Sequence, residues 1–97
     1  EIDSGVRGLV AHSIAQKIKN ISKKSQVLCI THLPQVAACG DHHVKIIKKI
    51  SDDRTFSEAY KLNKSERIFE IAKMITDGEI TDASQKMAEE LINKFAK

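Results

Sequence analysis

A helix-period stripe running straight into a continuous apolar run constrains this chain more than any other feature. From Val6 the apolar positions recur at Leu9, Val10, Ile14, Ile18 and Ile21, three and four apart, which lays one band along a helix. Ser4 stands ahead of it as a capping residue, and Ser22–Ser25 mark the exit. Val27-Leu28-Cys29-Ile30 follows at once, the pattern of a short strand buried on both faces of a parallel sheet. Helix then buried strand is the second half of a βαβ unit, whose first strand would precede Glu1. An α/β fragment is therefore expected, and the missing initiator Met agrees with a piece or a processed product.

The remaining elements follow from their punctuation. Thr31-His32-Leu33-Pro34 is a strand exit, with Pro34 suited to the first turn of a short helix through Ala38 and Gly40-Asp41 closing it. Val44–Ile50 and Thr55–Leu62 read as two strands of an antiparallel hairpin around Ser51-Asp52-Asp53-Arg54. Asn63, with Glu66 three residues on, resembles a capping box opening a helix to Thr76. Its apolar positions are Ile68, Phe69, Ile71, Ala72 and Ile75, and Asp77-Gly78 stops it. Thr81 or Asp82 starts a last helix through Phe95, with Met87, Leu91, Ile92 and Phe95 expected inward.

Composition narrows the class. Ninety-seven residues make one small domain or part of one, with 41% hydrophobic and 30% charged residues, the balance of a globular chain. No apolar run approaches the ~20 residues that span a bilayer, and no signal peptide opens the chain. Cys29 and Cys39 are too few for a disulfide scaffold, which points to a reducing cytoplasm. Charge is uneven: residues 1–50 carry eight Lys/Arg against three Asp/Glu, residues 51–97 eight against ten. Lys17, Lys19, Lys23 and Lys24 crowd the expected end of the first helix, where cations complement the macrodipole. A nucleic-acid surface is the alternative use for them.

Two spacings invite a zinc reading, Cys29-x-x-His32 and Cys39-x-x-His42. In a strand, however, residues three apart point to opposite faces, so Cys29 reads as a small core residue and the histidines as loop-edge residues. More informative are Glu1-Ile2-Asp3-Ser4-Gly5 and Thr31-His32-Leu33-Pro34-Gln35. The first sets carboxylates ahead of a small-residue turn and a helix. The second sets an imidazole at the carboxyl end of a buried strand, where α/β sheets place their ligand sites. Such a pair can hold an attacking water against a phosphate, the carboxylate orienting or deprotonating it and the histidine donating to phosphate oxygen. By spacing alone, a lone histidine after a strand is more often a loop residue.

The wording of the segments adds to their spacing. Glu1–Gly8 (EIDSGVRG), Gln26–Ala38 (QVLCITHLPQVAA), Asp41-His42-His43, Glu66–Met74 (ERIFEIAKM) and Gly78–Thr81 (GEIT) together resemble the RecN family of bacterial DNA-repair proteins, in the SMC-like branch of the ABC-type ATPases. The resemblance covers nearly the whole chain, and its most specific run is Thr31-His32-Leu33-Pro34-Gln35-Val36-Ala37. It implies a nucleotide-binding head that works in pairs, with ATP sandwiched between two heads and Mg²⁺ accompanying it. Glu1 matches the catalytic glutamate, Asp3, Ser4 and Gly5 the D-loop at the head–head contact, and His32 the switch histidine that senses the γ-phosphate. Arg7 stands where many relatives have a small residue, and no role is carried onto it.

The departures from the family pattern are large. No G-x-x-x-x-G-K-[ST] loop, no Leu-Ser-Gly-Gly signature, no Walker B aspartate and no coiled-coil heptad is present. Residues 1–97 are thus expected to be the C-terminal portion of an ABC/SMC-like head in a cytoplasmic, nucleoid-associated protein. A second head and DNA would be its partners, with no membrane involved. The segment alone is expected to bind neither ATP nor Mg²⁺, to be inactive, and to self-associate through its uncovered strand. A free-standing nucleic-acid- or protein-binding module without catalysis is the alternative.

Overall fold

The computed structural model describes residues 4–96. Its elements are α1 (Ser4–Ser22), α2 (Pro34–Cys39), β1 (Val44–Ser51), β2 (Arg54–Lys61), α3 (Lys64–Thr76) and α4 (Asp82–Phe95). Helices and a two-stranded antiparallel sheet make a mixed α/β arrangement. The core is helical: Ala15, Val36, Ala38, Cys39, Ile71, Ala72, Ala88, Ile92 and Phe95 pack together from all four helices.

Local chemistry sets the boundaries. Asn63 caps α3 reciprocally, its side chain accepting from Glu66 N–H at 2.8 Å while Glu66 accepts from Asn63 N–H at 2.9 Å. Thr81 caps α4 with Ser84 in the same way, and this contact holds the hydroxyl of Ser84 inside the fold. Asp77 and Gly78, both at positive φ, end α3. In the hairpin Ser51 pairs with Arg54, leaving Asp52 and Asp53 as a two-residue loop at φ 50° and 62°. Both positive values are those of a type I′ turn, whose twist matches the strands it joins.

Three expectations need correction. The buried strand at Val27–Ile30 does not form: residues 26–33 run without regular structure, with Leu28 94% and Ile30 99% exposed. Cys29 is accordingly exposed and not a core residue. A strand is stabilised by neighbours, and the only strands among the described residues, β1 and β2, pair with each other. The α1 stripe is also not the buried face. Ala11 and Ala15 are buried and Ile18 half-buried, while Leu9, Val10, Ile14 and Ile21 lie open. The small alanines let α1 approach α2 closely, and that contact fixes the helix's rotation. Finally, Met87 is 51% exposed, and α4 buries Ser84, Ala88, Ile92 and Phe95. Helix α1 begins at Ser4, so its capping position falls outside the described residues.

Candidate functional site

Of the residues singled out for nucleotide chemistry, Glu1 and Asp3 lie outside the described residues. Ser4 and Gly5 form the first positions of α1. His32 is described and exposed, near the end of the uncovered stretch and two residues ahead of α2. Its place in the chain is set by Thr31, whose hydroxyl accepts from Leu33 N–H at 2.9 Å, and by Pro34, which opens α2. This is a small side chain-to-backbone turn closed by a residue with fixed φ. His32 thereby lies at the junction between a free segment and the packed body.

The body meets that junction through α2, and the far end of α2 holds the densest polar contacts of the fold. Arg67 of α3 donates through Nη2 to the carbonyls of Ala37, Ala38 and Gly40 at 3.3, 3.4 and 2.9 Å. Lys19 of α1 donates to the carbonyl of Cys39 at 3.2 Å and to Asp41 Oδ1 at 2.7 Å. A Cβ at Gly40 would sit tightly, 3.1 Å from the His42 carbonyl. A cleft of about 270 Å³ opens beside these groups, bordered by Lys19, Cys39, Asp41, Arg67 and Phe95.

Titration follows from this packing. Burial, and then the Arg67 charge, push His43 below the ordinary histidine range, and its Nδ1 is buried without a hydrogen-bond partner. The hydrogen bond from Lys19 and its charge hold Asp41 below the usual carboxylate range. Burial raises the Cys39 thiol and lowers Arg67. On the hairpin side, Lys45 and Lys73 meet Glu70 at 2.6 and 3.5 Å. Burial alone would raise the Glu70 carboxyl, but these two ammonium groups leave it lowered.

Cys29 is exposed and Cys39 buried, and among the described residues no three of His, Cys, Asp and Glu come together in a way that can hold a metal ion. Lys19, expected at a solvated helix end or on a nucleic-acid surface, instead turns inward to the end of α2. Sequence reasoning missed Arg67 and His43 as a pair. Arg67 acts on backbone carbonyls, which leave no mark in a sequence.

No family model matches the chain. Individual relatives do. DNA repair protein RecN of Bacillus subtilis (strain 168) is 49% identical over 94 residues, covering 97% of this chain and 16% of the relative. The RecN of Vibrio cholerae is 35% identical over 92 residues (95% of this chain, 17% of the relative), and that of Rickettsia prowazekii 44% over 96 (99% and 17%). The chain belongs to the RecN family. It spans about a sixth of the length of these RecN relatives, so the match identifies the segment and not a whole protein. Among the described residues no helix is long and apolar enough to cross a membrane.

Proposed function

We propose that this chain is the C-terminal part of a RecN-type ATPase head, acting in DNA double-strand-break repair and recombination. The observation that carries the reading is the stretch Val27–Ile30. It is apolar and exposed, lacks strand partners among the described residues, and leads directly to His32. An uncovered apolar segment of this kind fits a strand whose neighbours belong to the remaining five-sixths of a RecN-length protein.

In this reading each residue has a defined task. Glu1 accepts a proton from the water that attacks the γ-phosphate of ATP. His32 donates to a phosphate oxygen as charge builds there. Asp3, Ser4 and Gly5, the D-loop, face a second head in a homodimer. DNA is engaged by the whole protein, in the cytoplasm at the nucleoid. No phosphate-binding loop occurs in the sequence. The segment by itself is therefore expected to bind neither ATP nor Mg²⁺ and to be inactive.

The test is made in a longer RecN-family protein carrying this segment. Glu1→Gln and His32→Ala should each slow ATP hydrolysis by ~10²-fold or more while ATP binding is largely kept. Unimpaired turnover in both variants, or micromolar ATP binding by the 97-residue chain alone, would defeat the reading. Salt-sensitive DNA binding by the isolated chain with both variants fully active would favour a nucleic-acid-binding module.

A further inference from the structure

Helix α2 has only six residues, too few to be stable by itself. A helix end leaves its last four carbonyls without intrahelical donors. Here the Gly40 carbonyl accepts from Arg67 Nη2 of α3 at 2.9 Å, the Ala37 and Ala38 carbonyls share that same nitrogen at 3.3 and 3.4 Å, and the Cys39 carbonyl accepts from Lys19 of α1 at 3.2 Å. Gly40 N–H adds only a long 3.4 Å bond back to the Ala37 carbonyl. Both cations sit where the helix dipole is negative, and charge-assisted bonds are the stronger kind. The side chain of Lys19 is only 15% exposed and Arg67 is half-buried, so neither contact is a loose surface pairing.

The opposite end of α2 is the His32 junction. Pro34 is its first residue, and the Thr31–Leu33 turn joins it directly to His32. Residues 26–33 have no secondary structure of their own, so the position of His32 relative to the body depends on where α2 is fixed. We infer that Arg67 and Lys19 form a two-cation clamp on the carboxyl end of α2 and are positioning residues for His32. This rests on the reading of His32 as the phosphate-sensing group. Neither side chain touches the reacting atoms. Each acts through a short helix that would otherwise fray, and in a site of this kind a misplacement of about 1 Å is enough to slow chemistry ~10²-fold.

Two variants separate the clamp from simple packing. Arg67→Met keeps the apolar stem and removes every donor. Arg67→Lys keeps a charge but carries it on a shorter side chain that lacks the planar guanidinium. In the 97-residue chain, amide hydrogen exchange should rise about tenfold or more across residues 35–40 in Arg67→Met. The amides of Ile71 and Ile92 should keep their rates, and Arg67→Lys should fall between. In the longer protein Arg67→Met should lower kcat for ATP with little change in KM, and Arg67→Lys should restore part of it. A uniform rise in exchange across α3 and α4, no rise at 35–40, or unchanged kcat in a protein where His32→Ala is slow would each overturn the clamp. Full turnover by His32→Ala would instead overturn the site reading, and the exchange arm would still decide whether α2 is clamped.

Discussion

At the scale of single residues, the polar interior of this small fold is organised by a few cations and one histidine. Burial, and then the Arg67 charge, put the folded-state pKa of His43 below the ordinary 6.5. The unfolded chain takes up that proton first. The stabilisation is therefore complete above pH 6.5 and is lost as pH falls toward the depressed folded value. Thermal midpoints at pH 7.5 and 5.5 should show a decline on acidification that His43→Phe, which cannot titrate, makes smaller. An equal decline in both proteins would remove His43 as its source. What was legible at this scale was local: Asn63 and Glu66 stand three apart, and their capping box forms as read. Arg67 was not legible, because its acceptors are main-chain carbonyls some thirty residues away.

At the scale of elements, punctuation proved readable and rotation did not. The hairpin, the short helix after Pro34 and the two capped helices all stand close to the expected boundaries, because turn and cap residues act on their immediate neighbours. Which face of α1 lies inward depends on what packs against it, and close contact with α2 favoured Ala11 and Ala15 over the larger stripe residues. The same dependence explains Val27–Ile30, which has the composition of a buried strand without a described partner. The hairpin itself offers a clean test. Asp52 and Asp53 both sit at positive φ, a conformation that glycine adopts more easily than aspartate. Asp53→Gly should stabilise the hairpin by about 0.5–1 kcal/mol, seen as a higher thermal midpoint and slower exchange in β1. A lower midpoint would contradict the turn assignment.

At the scale of the molecule, the described surface is more apolar than the packed helices alone would suggest. Leu9, Val10, Ile14 and Ile21 on α1 and Leu28 and Ile30 beyond it are all exposed, and Ile46 and Ile50 stand open on β1. Such surface is normally covered, and extended apolar segments without partners seek pairing. The isolated chain should therefore elute from size exclusion as a dimer or larger by light scattering. A clean monomer at tens of micromolar, about the concentration at which weak interfaces fill, would count against it. Within a RecN-type head, Val27–Ile30 should be a sheet strand completed by the rest of the protein. Amide hydrogen exchange of these four residues should be fast in the isolated chain and slowed by ~10²-fold or more within the longer protein. Equally fast exchange in both would show that the segment is a loop, and that His32 is not delivered by a strand.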